Sequence, residues 1–273
     1  VFVRISNIMV SVDLGAATAD RVQLAAGLAE RFGSKLTGVA ARPVLGPMLV
    51  GDMREVERVW AIEERVTDER LAEAKALFER EAGQAPRTDW RSAPTDPLAF
   101  LGVQARTADL VVVGRQGPAD GDPGPMAAPT GAVLMEVGRP VLVVPPGIEH
   151  LAAKRVVVAW KDAPEARRAL HDALPFLGHP EQVCVVAVGP DAQDVGAEGA
   201  AEYLSGHGIK ATTHLLRKPE IDTADEILQF AGREVADLIV MGAYGHSRLR
   251  QWVFGGVTRD VLQTTPVCCL MSH

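Results

Sequence analysis

At 273 residues, with 47% hydrophobic residues and a formal net charge of −7, the chain can fill two domains of about 120 to 150 residues, each with its own core. It offers no Lys/Arg run for a nucleic-acid backbone, and no basic region precedes a long apolar stretch. Those absences argue against nucleic-acid and membrane partners and predict a cytoplasmic protein. The three cysteines, Cys184, Cys268 and Cys269, fall inside predicted strands as core residues. The seven histidines are scattered, so no metal-ligand spacing is present and no metal site is expected.

In chain order, Ile5 to Val12 reads as a strand, Ala17 to Phe32 as a helix with Val22, Ala25, Ala29 and Phe32 on one face, and Lys35 to Ala41 as a strand. Pro43, Gly46 and Pro47 mark a loop before a long amphipathic helix. In it Met53, Val56, Trp60, Thr67, Leu71, Ala74 and Phe78 recur at helical spacing. A short strand near Thr88 to Arg91 follows, then a helix from Pro97 to Ala105 and the strand Leu110 to Gly114. A Gly/Pro-rich loop, a helix near Gly131 to Val137 and the strand Val141 to Val144 complete a first unit, which Pro145-Pro146-Gly147 ends.

The order then returns. Strand Arg155 to Trp160 leads into Asp162-Ala163-Pro164-Glu165, which has the composition of a capping box with Pro in the first turn, and a helix that carries Ala166, Leu170, Ala173, Leu174 and Leu177 inward. Strands near Gln182 to Val188 and Lys210 to Leu216 flank a helix around Val195 to His207. A helix from Thr223 to Glu234, the strand Leu238 to Met241, a helix from Val257 to Thr264 and the strand Val267 to Met271 finish the chain.

Three phrases make this a duplication. Ile8-Met9-Val10-Ser11-Val12 matches Val156-Val157-Val158-Ala159-Trp160, Ala108-Asp109-Leu110-Val111-Val112-Val113-Gly114 matches Ala236-Asp237-Leu238-Ile239-Val240-Met241-Gly242, and Arg139-Pro140-Val141-Leu142-Val143-Val144 matches Thr265-Pro266-Val267-Cys268-Cys269-Leu270. Alternating βα units of this length predict an α/β fold of two tandem five-stranded parallel-sheet, Rossmann-like domains, residues 1–146 and 152–273. Their apolar last strands would otherwise present bare edges, so the two domains are expected to pack as an intramolecular pseudo-dimer.

The chemistry lies in the loop after Leu238 to Met241. Gly242-Ala243-Tyr244-Gly245 is followed by nine residues, then by Gly255-Gly256-Val257-Thr258 opening a helix. Glycines let backbone approach an anion, and a helix start offers unpaired N–H groups and the positive end of a dipole. The enclosed His246, Arg248 and Arg250 add positive charge, while Trp252 and Phe254 read as packing residues.

With the Gly-x2-Gly-x9-Gly spacing between a buried strand and a final Thr265-Pro266-Val267 strand, the chain resembles tandem two-domain members of the universal stress protein (UspA) family. The resemblance is strongest in the last forty residues and weakest from Pro43 to Thr95. It implies a stress-response regulator or scaffold with a pocket for ATP or AMP, accompanied by Mg2+, and last strands that pair across a dimer. Carried over by position, Gly242, Gly245, Gly255, Gly256 and Thr258 would surround the phosphates, with Met241, His246, Arg248 and Val257 beside them. Ala159, Trp160 and Lys161 would face the base and ribose. Two positions depart from the pattern. Binding members usually have Ser or Thr where this chain has Gly256, leaving Thr258 as the nearest hydroxyl, and they usually end the first strand with Asp where this chain has Lys161.

In the first unit Asp13 stands where the family places that acid, or caps the following helix. Gly114-Arg115-Gln116-Gly117, however, runs into a loop rich in Pro, Ala and Asp, and Pro129 falls at the third motif glycine. Proline has no N–H to offer, and Asp120 and Asp122 would repel phosphate, so this pocket is expected to be degenerate.

No Gly-x-Ser-x-Gly elbow and no Ser/His/Asp set at strand ends point to an enzyme, and the segment Gly242 to Thr258 contains no Asp or Glu. Any hydrolysis of ATP is expected to be slower than about one turnover per minute. Two alternatives stay open: a nucleotide-free scaffold acting through protein partners, and a slow ATP hydrolase. Further homodimerisation of the tandem chain also stays open.

Overall fold

The computed structural model describes residues 4–46, 53–83, 85–217, 219, 221–245 and 256–273. The first half runs β1 (Asn7–Ser11), α1 (Thr18–Phe32), β2 (Lys35–Ala41), α2 (Met53–Glu81), β3 (Arg87–Ala93), α3 (Pro97–Gln104), β4 (Leu110–Gly114), α4 (Thr130–Glu136) and β5 (Val141–Val144). The second runs β6 (Arg155–Ala159), α5 (Pro164–Asp172), β7 (Gln182–Val188), α6 (Ala197–Gly206), β8 (Thr212–Leu216), α7 (Thr223–Arg233), β9 (Leu238–Gly242), α8 (Gly256–Thr264) and β10 (Cys268–Ser272).

The ten strands form one sheet in the order β3-β2-β1-β4-β5-β10-β9-β6-β7-β8. Each half contributes the same order read outward from the middle. Every neighbouring pair is parallel except β5 and β10, which meet antiparallel with Leu142 opposite Leu270 and Val143 opposite Cys269. The pseudo-dimer is thus welded by its last strands.

Side chains alternate between the two faces, and the alternation carries through the antiparallel seam. Ile8, Val10, Leu110, Val112, Leu142, Leu270, Val240 and Val158 lie on one face under α1, α2, α5 and α6. Met9, Val111, Val143, Cys269, Met271, Ile239 and Val157 lie on the other under α3, α4, α7 and α8. A one-residue slip at the seam would turn every one of these side chains to the wrong layer. Both cores therefore run through the two halves. Burial pushes the Cys268 thiol up to about 12, with the Asp237 charge adding to it, and pushes Cys269 up as well. As core residues the cysteines are inert.

Further contacts fasten the halves. Arg31 donates to Ala152 O at 2.9 Å and Phe176 O at 3.2 Å, Phe32 meets Phe176 edge-on at 5.3 Å, and Gly147 N donates to Asp20 at 2.9 Å. On the outer side, Gly38 in β2 lets the Phe78 ring of α2 close down, since a Cβ there would stand 2.7 Å from Phe78 Cδ2.

Two local expectations are corrected. The capping box at the start of α5 does not form: the cap is Ala163, without a side-chain bond, and Asp162 pairs instead with Arg167. Pro164 already removes one N–H of the first turn. The helix ends at Asp172, and Leu174 and Leu177 reach the core from the turn around Pro175. Nor does Asp13 cap α1, whose N-cap is Ala17.

Candidate functional site

In the second half the strand order reverses between β6 and β9. From there β7 and β8 extend one way and β10 the other, which leaves a crevice at the carboxyl ends of the strands. A cleft of about 690 Å³ lies there. Ala159, Trp160 and Lys161 reach it from the end of β6, Met241, Gly242 and Gly245 from β9 and the turn after it, and Gly256, Val257 and Thr258 from the start of α8. Nine predicted site residues from three separate elements thus line one cavity. His246, Arg248, Arg250, Trp252, Phe254 and Gly255 lie outside the described residues.

The cleft lining is both apolar and rich in backbone. Ala159, Val186, Val188, Ile227 and Met241 give the lining its apolar side chains, and the glycine turn and the first residues of α8 add backbone to it. Trp160 lies beside them, 8% exposed, with its indole N–H given to Val195 O at 2.7 Å. It is a packed wall. Lys161 is exposed and makes no ion pair among the described residues. Thr258 is buried, and its hydroxyl accepts from Tyr244 N at 3.4 Å, so the residue read as the spare hydroxyl braces the glycine turn.

The sequence reading missed Glu165. It comes from the first turn of α5, yet its carboxylate lies against the glycine turn: a Cβ on Gly245 would stand 2.6 Å from its Oε1, and one on Gly242 would stand 2.7 Å from its Cγ. The segment Gly242 to Thr258 indeed holds no acid of its own. The fold nevertheless puts one beside it. Asp162 and Asp191 also line the cleft, nearer solvent.

The equivalent place in the first half is filled by protein. Arg21, 3% exposed, donates from Nε to Ser11 O at 3.0 Å and pairs with Asp13 at 2.8 Å, and its Nη1 would lie 2.3 Å from a Cβ on Gly114. Asp13 also accepts from Gly15 N at 3.1 Å and Thr18 Oγ1 at 2.6 Å. Burial works to raise its pKa, but the Arg21 charge and these hydrogen bonds outweigh it and hold the carboxyl below the usual carboxylate range.

The glycine turn of this half has likewise been given an internal anion. Gly117 N donates to Asp120 at 2.7 Å, Arg115 Nε donates to the same carboxylate at 2.8 Å, and Arg115 Nη1 crosses to Thr265 O at 2.7 Å. Hydrogen bonding from Arg115 lowers the Asp120 pKa, against the effect of burial and aided by Gly117 N–H and the Arg115 charge. At the start of α4, Thr130 N is taken by Gln116 Oε1 at 3.1 Å. Asp120 was read as a residue that would repel phosphate, and it is found seated on the donors that a phosphate would need.

Residues 152–273 match the model of the Universal stress protein family. A curated universal stress protein of Synechocystis sp. is 28% identical over 170 residues, a stretch that covers 58% of this chain and 56% of the relative's own length. The solved universal stress protein of Archaeoglobus fulgidus DSM 4304 aligns with 97% of each chain at TM-score 0.69 and 15% identity. A functionally unknown protein of Pseudomonas aeruginosa PAO1 aligns with 98% of this chain and 92% of its own at TM-score 0.55 and 16% identity. At such identities the two structures speak for the fold.

Proposed function

From the match of residues 152–273 to the Universal stress protein family, we propose that the chain holds one adenine nucleotide, ATP or AMP, in the cleft of its second half. Residues 1–146 and 152–273 are then two copies of one unit with divergent duties: the second senses a nucleotide, and the first supplies a partner surface and half of the common sheet. The observation that carries this reading is the convergence, on one 690 Å³ cleft, of an apolar lining with a glycine turn and a helix start. A purine ring needs the former and phosphates need the latter.

In this reading Ala159, Val186 and Met241 flank the base, Lys161 reaches the ligand from the exposed rim, and Gly242, Gly245 and the N–H groups of Gly256 and Val257 face the phosphates. His246, Arg248 and Gly255 are assigned to the same end by their place in the motif. The nucleotide is a held signal rather than a substrate. The cleft sets no histidine or nucleophilic serine beside Glu165 among the described residues, so phosphate release from Mg-ATP is expected below about one per minute; a rate above about one per second would make the chain an enzyme.

The test is Gly256→Asp. Among the described residues, a Cβ at 256 meets nothing closer than Asp260 Oδ2 at 3.7 Å, so the side chain has room there. The favourable helix dipole and the like-charge pair with Asp260 offset each other at a few tenths of a kcal/mol. Folding should be unchanged while a new carboxylate faces the phosphates, and nucleotide affinity should fall at least about 30-fold, roughly 2 kcal/mol. Unchanged affinity in a folded variant would refute the assignment.

A further inference from the structure

We propose that Glu165 is the protein's own ligand to the divalent cation that accompanies the phosphate-bearing ligand in the cleft. The proposal rests on the nucleotide reading above and adds to it a chemical requirement. Glu165 is 7% exposed, and its Oε2 is buried without a hydrogen-bond partner among the described residues. Among the described residues, Arg167 pairs with Asp162, Arg168 donates to His273 O, and the exposed Lys161 makes no ion pair with Glu165. The start of α5 favours a negative charge, but it leaves this oxygen unpaired.

The Glu165 side chain packs against Gly242 through its Cγ and against Gly245 through its carboxylate, on the backbone assigned to the phosphates. A bare phosphate on the glycine turn would stand against a buried like charge with little water to screen it. A divalent cation between the two removes both difficulties. Mg2+ is commonly held by one or two carboxylates together with phosphate oxygens and water, rather than by an all-protein cage. The residues present fit that division of labour, since no group of three or more His, Cys, Asp or Glu among the described residues could hold a metal alone. Glu165 supplies one oxygen, and the ligand must supply others. Cation and nucleotide therefore enter together, and neither binds well without the other.

Calorimetric titration of the full chain with ATP, in Mg2+ and in EDTA, tests this on the wild type and on Glu165→Gln, with circular dichroism confirming the fold of the variant. Wild-type affinity should fall at least about 30-fold in EDTA. In Glu165→Gln the repulsion is gone, so metal-free ATP should bind more tightly than to the wild type, and the ratio between the two conditions should shrink below about 3-fold. Mn2+ titration followed by electron paramagnetic resonance should show tight Mn2+ only when ATP is present, weakened in the variant. Equal wild-type affinity in Mg2+ and EDTA would overturn the proposal while leaving the nucleotide reading intact. An unchanged ratio in Glu165→Gln would do the same, and would leave Glu165 as an acceptor for a ligand hydroxyl. No ATP binding in any condition would overturn both.

Discussion

The turns after β4 and β9 descend from the same phrase, Ala-Asp-Leu-(Val/Ile)-Val-(Val/Met)-Gly, and arrive at the same place in the fold with opposite electrostatic endings. After β4, the donors are spent internally: Gly117 N on Asp120, Thr130 N on Gln116, and the space at Gly114 on Arg21. After β9, the space remains a cleft, and a buried carboxylate oxygen, Glu165 Oε2, has no partner among the described residues. On the proposed reading, the first half would be a duplicated site retired without losing its backbone. Its own side chains keep the turn satisfied.

If the halves are one folded body, damage at their seam reaches both. Leu142 lies fully buried at the seam opposite Leu270. Leu142→Asp would bury a carboxylate there, at more than about 4 kcal/mol. Urea unfolding should show one weakened transition, with ATP binding lost in step although the substitution lies in the first half. A second half that stays folded and competent in its own separate transition would break the picture of a shared core.

The retired site carries the next effect. Asp13→Asn leaves Arg21 buried without its counter-charge and should cost about 3 kcal/mol at neutral pH. Because the folded pKa of Asp13 lies below its unfolded value near 3.8, its contribution is present above that value and is lost as pH falls through the folded pKa. The stability gap between wild type and variant, measured by denaturant titration, should therefore be full above about pH 5 and close in more acidic solution. A gap that does not change with pH would mean that the ion pair is not what stabilises this corner.

A smaller effect sharpens the second half. Gly256→Ser introduces the hydroxyl that this position lacks, in open space. One added hydrogen bond to phosphate is worth about 0.5 to 1.5 kcal/mol, a gain of roughly 2- to 10-fold in ATP affinity by titration. A loss would place the phosphates away from the start of α8. Gly117→Val is not the silent control that its degenerate loop suggests, because a Cβ there would stand 2.1 Å from Gln263 O in α8.

Much of this was legible in the sequence where one physical constraint dominated. Strands buried on both faces read as unbroken apolar runs in β4 and β5, and these, like the more mixed β2 and β7, appear with the boundaries their residues predict. The glycine turn and the start of α8 could be placed at one end of the sheet because βα topology dictates where strand ends meet. Glu165 could not. Its importance arises from the close approach of α5 to β9, which two glycines permit, and in sequence it passes for the last residue of a capping box. Arg21 and Asp120 were hidden for the same reason: a helical Arg and a loop Asp are ordinary until the fold sets them on the donors and the space of a vacant site. One signal was available, since the Asp13 of the first half and the Lys161 of the second already showed that the two pockets had exchanged charge.

The asymmetry between the halves is read out by the stoichiometry of nucleotide binding. Titration of the full chain with Mg-ATP should give one site per chain, abolished by Gly256→Asp. Two sites per chain, or one that persists in that variant, would contradict it.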